Sequence, residues 1–179
     1  SPAVHLTIAS KGALTIEHSN FYYSEISSRN MASIRLSTFE HTTGEVNRAI
    51  SGKARIDSCT FKNNFYGVYA TEDTCYVNHC LFKNNDAGIV NRESLVVRNS
   101  RFENNRLGVK SSYGEHTDLG KNTTDSTGNN VFTLNTEYDV YNYSENIVYA
   151  LKNIWDGTTA AEIDAKIYDN DENSGYGEV

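Results

Sequence analysis

The apolar positions of this chain recur in one six-residue frame: an apolar residue, two variable positions, a small residue, one variable position and Phe. The frame runs Ile16-Glu17-His18-Ser19-Asn20-Phe21 and returns with its aromatic at Phe39, Phe61, Phe82 and Phe102, at spacings of 18, 22, 21 and 20 residues. Asn130-Val131-Phe132 repeats its second half. Ala150-Leu151-Lys152-Asn153-Ile154-Trp155 repeats all of it, with Trp in place of Phe. A second frame follows in phase with the first: Asn63-Asn64 precede Gly67-Val68, Asn84-Asn85 precede Gly88-Ile89, and Asn104-Asn105 precede Gly108-Val109.

Units of this length hold three short apolar centres separated by turn residues, which is room for three short strands and three turns. One such unit cannot bury its apolar face, whereas stacked units bury a continuous column. The predicted architecture is therefore all-β: a right-handed parallel β-helix, a single-stranded solenoid of about seven coils over residues 4–158. Phe21, Phe39, Phe61, Phe82, Phe102, Phe132 and Trp155 stack along its interior at about 4.8 Å per coil, with Ile16, Ile34, Ile56, Val77 and Val97 beside them. The small residue of each frame suits a bend where a side chain bonds a neighbouring backbone. The stretch Gly114 to Gly128 is rich in Gly, Asn, Thr and Asp and reads as an exposed loop leaving the coil. Thr159 and Glu162 form a capping box for a helix from Ala160 to about Tyr168, with Ile163 and Ile167 on one side. This helix is expected to cover the last coil, followed by an acidic tail to residue 179. The whole reads as one domain, 1–179. Its start at Ser1-Pro2-Ala3, without an initiator Met, suggests the C-terminal fragment of a longer protein.

The copies IDSCTFKNNFYGVYA, VNHCLFKNNDAGIVN and VRNSRFENNRLGVKS, with the tail GNNVFTLNTEYDVYN, resemble the pectin lyase-like superfamily of right-handed parallel β-helix proteins. Within it they are most similar to the NosD-like repeats of carbohydrate-binding and sugar-hydrolysing type. The resemblance covers nearly the whole chain from Leu14. It implies the fold, a secreted or cell-surface setting, and a polysaccharide or cell-surface glycan as partner. It leaves function open, because the superfamily holds lyases, hydrolases, epimerases, binding domains and stalks.

Composition narrows the function classes. The net charge is -7 and the basic residues are dispersed, which argues against nucleic-acid binding through phosphate neutralisation. No apolar run approaches the roughly 18 residues of a membrane-spanning helix, so membrane insertion is not expected. The outward column Glu17, Arg35, Asp57, Asn78 and Arg98 alternates in sign and reads as a solvated charge ladder, without the paired carboxylates that glycoside hydrolysis uses. The five histidines are dispersed and read as surface or turn residues. Cys59 and Cys80 occupy one frame position in consecutive coils, close enough for a disulfide, and read as stacked buried thiols. Asp169, Asp171 and Asn173 place oxygens at alternate positions, as the first half of a calcium loop does, though an acidic turn has the same composition; calcium is the one cofactor suggested. Asn122 and Asn142 begin sequons.

Of twelve tyrosines, ten (Tyr22, Tyr23, Tyr66, Tyr69, Tyr76, Tyr113, Tyr138, Tyr141, Tyr143 and Tyr149) exceed what the core needs. Tyr66, Tyr69 and Tyr76, with Asp57 and Arg98, are the candidate binding residues, since Tyr stacks on sugar rings and also serves protein contacts. These readings lead to a non-catalytic extracellular module, acting as a rigid stalk, adhesin or carbohydrate-contacting domain. The alternatives are the C-terminal part of a polysaccharide lyase, glycosidase or epimerase, and a surface subunit that self-associates end to end or laterally.

Overall fold

A computed structural model describes residues 6–41, 48–113, 116–121 and 126–179, excepting the side chains of Leu6 and Thr7. The chain winds as a parallel β-helix, and every strand pairing is parallel. Three faces result. The first carries Tyr66–Ala70, Ala87–Asn91, Leu107–Ser112 and Tyr138–Tyr143. The second carries Thr74–Asn78, Ser94–Arg98, His116–Gly120 and Val148–Ala150. In the early coils, Ser24–Arg35 and Arg48–Asp57 run unbroken across both faces. The third face is a separate sheet of seven strands, from Asn20–Tyr22 to Ile154–Trp155, so about six turns separate its ends.

The aromatic column lies on the inner side of the third face. Phe21, Phe39, Phe61, Phe82, Phe102, Phe132 and Trp155 stack with centroids 4.8 to 5.1 Å apart and planes within 13° of parallel. Rings left to themselves favour offset or edge contacts. Here the strand spacing of about 4.8 Å imposes parallel stacking. The five Phe side chains from Phe39 to Phe132 are fully buried, while Phe21 and Trp155 are only partly so. Ile16, Ile34, Ile56, Val77 and Val97 stand in register beside them.

The turns that flank the third face carry residues in the left-handed region. Before the third face these are His18, Leu36, Ser58, His79, Asn99, Asn129 and Lys152; after it they are Tyr23, His41, Asn63, Asn84, Asn104 and Leu134. Asn tolerates this conformation best among non-glycine residues, which accounts for the first Asn of each Asn-Asn pair. The second Asn turns inward. Asn64 takes the side-chain oxygen of Asn85 on both its backbone and side-chain nitrogens (3.0 and 3.1 Å), and donates to Phe39 O. Asn85 does the same with Asn105, and Asn105 with Asn135. These buried Asn donors are thereby satisfied by the coils on either side, which lifts the penalty of burying them. The small frame positions form a second ladder: Cys80 N bonds Ser100 Oγ, Ser100 N bonds Asn130 Oδ1, and Asn130 N bonds Asn153 Oδ1. Cys59 and Cys80 are buried free thiols.

Two sequence expectations are corrected. Within Gly114–Gly128, His116–Gly120 is a strand of the second face, pairing with Ser94–Arg98 and Val148–Ala150 and burying Leu119 in the core. A Thr-Asp-Leu-Gly composition suits a loop, but the strands on either side offer a full ladder and the solenoid needs a rung there. The capping helix is also shorter than expected. It spans Ala160–Asp164 with the Thr159–Glu162 capping box in place, and Ile167–Tyr168 instead pairs as a strand with Val140 and Tyr141. Cover of the last coil is shared: Val179 and Trp155 pack on the core, and Val148 N donates to Glu178 O.

Candidate functional site

The side chains that point away from the core on the first face form their own cluster. Two outward columns run along it. Arg48, Tyr66, Ala87, Leu107 and Tyr138 are in register on one; Ser51, Tyr69, Val90, Lys110, Tyr141 and Tyr168 are in register on the other. Ala87, Val90 and Leu107 are buried although they face outward, because Tyr66 and Tyr69 lean over them from one end and Tyr138 and Tyr141 from the other. Ala87, Val90 and Leu107 in the middle rungs and tyrosines at the ends therefore make one apolar floor with aromatic ends.

This floor extends past the last complete coil. Tyr141 stacks on Tyr168 at 4.7 Å, Tyr143 contacts Tyr176 at 4.7 Å, and Tyr113 meets Tyr143 edge-on at 6.5 Å. Burial raises the phenol pKa of Tyr66 and of Tyr141, and a hydrogen bond shared with Tyr143 pushes that of Tyr176 up to about 12. All three stay neutral at ordinary pH. At the edge toward the second face a hollow of about 440 Å³ opens between Tyr113, Tyr143, Tyr176, Glu145 and Asn146. It adjoins a second hollow of about 370 Å³ lined by Thr71, Arg92, Glu93 and Tyr113.

Three cations sit on these rings. The Arg48 guanidinium lies 3.8 Å from the centre of the Tyr69 ring, and its buried Nε has no hydrogen-bond partner among the described residues. Arg92 donates to the Tyr69 hydroxyl at 3.2 Å and lies 5.5 Å from the Tyr113 ring. Lys110 Nζ is 5.3 Å from Tyr141 and 5.6 Å from Tyr143. Such contacts hold a cation on a ring face without neutralising it.

The second face is built differently. Glu17, Arg35, Asp57, Asn78 and Arg98 stand in register as predicted. Arg35 reaches Glu17 at 4.0 Å and Asp57 at 3.7 Å, Asn78 donates to Asp57 at 2.9 Å, and Arg98 pairs with Asp118 at 2.9 Å. Burial raises the Asp57 pKa, but hydrogen bonds from Asn78, Ser58 and His79 outweigh it and hold the carboxyl below its ordinary value. The column is a satisfied charge ladder. The structure thus separates the candidate binding residues: Tyr66 and Tyr69 belong to the tyrosine floor, whereas Tyr76, Asp57 and Arg98 lie on the other sheet face, where Arg55 stacks on Tyr76 at 4.4 Å. Tyr138, Tyr141, Tyr168 and Tyr176 complete the floor; the first two are among the surplus tyrosines of the sequence, whereas Tyr168 and Tyr176 are not. The one signal for them was a shared spacing, Tyr66-Gly67-Val68-Tyr69 against Tyr138-Asp139-Val140-Tyr141.

The remaining candidates take structural places. Asp169 accepts from the backbone of Asp171 and Val179, and Asn173 Oδ1 accepts from Gly175 N. Among the described residues no group of three or more His, Cys, Asp or Glu is placed to hold a metal ion. Asn142 is fully buried and its amide donates to the carbonyls of Asn146 and Gly177, so a glycan there is incompatible with this fold. Asn122 lies outside the described residues. Among the described residues Asp139 is the carboxyl displaced upward: burial raises its pKa to about 6. It is enclosed in the core, 1% exposed, and out of reach of a polymer substrate.

A family model described as "Protein of unknown function (DUF1565)" matches residues 5–161, and the chain belongs to that family. No curated protein and no solved structure matches the chain.

Proposed function

We propose that this member of the DUF1565 family is a non-catalytic β-helix module of a secreted or cell-surface protein, contacting carbohydrate through its tyrosine floor. The pectin lyase-like ancestry indicated by the repeat copies is part of the same reading. The observation that carries it is the outward cluster on the first face. About six turns could present any polar surface, yet this one presents a row of half-buried tyrosines in ring contact, alongside a corner hollow lined by Glu145. Aromatic faces stack on the apolar faces of sugar rings, and carboxylate oxygens accept from sugar hydroxyls. The carboxylates of the second face are engaged in ion pairs and hydrogen bonds, and Asp139, the carboxyl poised near neutrality, is enclosed. Both features favour binding over turnover.

A glycan array combined with activity assays on polysaccharides, run with and without calcium, tests this reading. Binding without turnover is expected, and Tyr141→Ala with Tyr69→Ala should weaken it. Turnover by this chain would overturn the non-catalytic reading, and absence of binding would leave a rigid stalk.

A further inference from the structure

The bend leading into the third face has one repeated position per coil, occupied in turn by Ser19, Ser37, Cys59, Cys80, Ser100, Asn130 and Asn153. Its oxygens accept from the backbone of the preceding coil: Ser19 N donates to Ser37 Oγ at 3.2 Å, Cys80 N to Ser100 Oγ at 3.1 Å, and Ser100 N to Asn130 Oδ1 at 3.0 Å. Sulfur is only a weak acceptor. The ladder therefore accounts for the oxygens and does not account for the two thiols.

Two of the chain's three cysteines hold consecutive rungs of this ladder, and no other rung carries one. The register of the pair is fixed on both sides. Asp57 stands opposite Asn78, Thr60 stands opposite Leu81, and Leu81 N donates to Cys59 O at 2.9 Å. The Cα atoms are thereby about 4.8 Å apart, within the roughly 4.4–6.8 Å that a disulfide spans. The thiols also meet, Cys80 donating to the Cys59 sulfur. That hydrogen bond lowers the Cys59 pKa, whereas burial raises that of Cys80. Cys59 is the better thiolate and so the attacking partner. Cys75 is fully buried in a strand of the second face, and burial holds its thiol up at about 12.

We propose that Cys59 and Cys80 form a reversible disulfide between consecutive coils, made by reaction with hydrogen peroxide. The Cys59 thiolate attacks one peroxide oxygen, the O–O bond breaks, and Cys59 becomes a sulfenic acid while the departing hydroxide takes up the thiol proton as water. The Cys80 sulfur then attacks the Cys59 sulfur, the S–O bond breaks, and the hydroxyl leaves with the Cys80 proton as a second water. Two thiols lose two electrons in all, and one peroxide is reduced to two waters. The bridge closes one whole coil, with Phe61 and Val77 inside it, so that this coil no longer opens separately. It is independent of the carbohydrate reading.

In the test, the full chain is treated with hydrogen peroxide, unfolded, alkylated and mapped by mass spectrometry. The peptides carrying Cys59 and Cys80 should be joined and lighter by two hydrogens, with Cys75 as the one alkylated thiol, and dithiothreitol should restore all three. The unfolding equilibrium constant in urea should fall about 30-fold or more on cross-linking, and dithiothreitol should reverse this. The double variant Cys59→Ser with Cys80→Ser, whose hydroxyls match those of Ser37 and Ser100, should gain nothing from peroxide; the peptide map of the parent decides by itself if that variant does not fold. In Cys80→Ser the Cys59 sulfenic acid should persist and react with dimedone, whereas Cys80 in Cys59→Ser should label about fivefold less. Three alkylated thiols after treatment, a bridge to Cys75 or between chains, or an equal gain in the double variant would each overturn the proposal. Equal labelling of the two single variants would overturn the assignment of Cys59 as the attacking thiol.

Discussion

Asn135 donates through its side-chain amide to the carboxyl of Asp139, four residues on in its own coil, at 2.7 Å. In each earlier rung the corresponding amide donates to the Asn of the next coil. The final rung has no further Asn to receive it, and Asp139 supplies the oxygen from within. It stands in register after Gly67, Gly88 and Gly108, where a side chain would meet the next strand and the next Phe ring. At the last coil the Asp139 side chain occupies this inner position, and its backbone N donates to Lys166 O at 2.7 Å.

This termination makes the fold sensitive to pH. Burial raises the Asp139 pKa from 3.8 to about 6, so between these values the folded protein holds a proton that the unfolded chain releases. The contribution is complete below about pH 4 and is lost as pH rises through about 6, at a cost on the order of 3 kcal/mol. Asp139→Asn keeps the accepting oxygen and cannot ionise. Its denaturation midpoint should exceed that of the parent at pH 8 and match it near pH 4. A variant whose midpoint falls below the parent's at pH 8 would contradict this account.

The interior of the Asn ladder should be costly to cut. Asn85→Ala removes the acceptor of two Asn64 donors and leaves Asn105 Oδ1 and Phe61 O without the Asn85 amide. Orphaned buried groups cost about 1–3 kcal/mol each, so a total loss above about 3 kcal/mol is expected in chemical denaturation. Asn85→Asp, with an acceptor facing acceptors, should not rescue it.

The aromatic column predicts a gradient. Phe82→Ala, at a fully buried rung flanked by Phe61 and Phe102, should lose about 3–5 kcal/mol through lost burial and a cavity. Phe21→Ala, partly exposed at the first rung, should lose less than half of that. Equal losses would mean that the column does not act as a stacked core.

Glycine positions separate backbone need from chance. A Cβ at Gly88 would stand 2.7 Å from Gly108 O and 2.9 Å from Phe102 Cδ1, whereas one at Gly12 meets nothing within 4 Å. Gly88→Ala should therefore destabilise by about 1–3 kcal/mol or more, and Gly12→Ala should be close to neutral, both read from urea midpoints.

The sequence by itself determined the repeat, the inward aromatic column and the alternating column from Glu17 to Arg98. Each of these depends on a residue type recurring once per coil at a fixed place in a frame. It also determined the capping box, which is local. It did not show that His116–Gly120 would be a strand, because that segment lacks the frame and is drawn into the sheet by the unpaired edges around it. It did not show that Ile167 and Tyr168 would leave the helix for the sheet, for the same reason: a ladder with Val140 and Tyr141 satisfies more backbone than one further helical turn. The tyrosine floor was decided by tertiary structure alone. Tyr66, Tyr138 and Tyr168 are far apart in the chain and become neighbours only once the register of every intervening coil is set. Whether a cation there meets a carboxylate or a ring depends on that register and on no local signal.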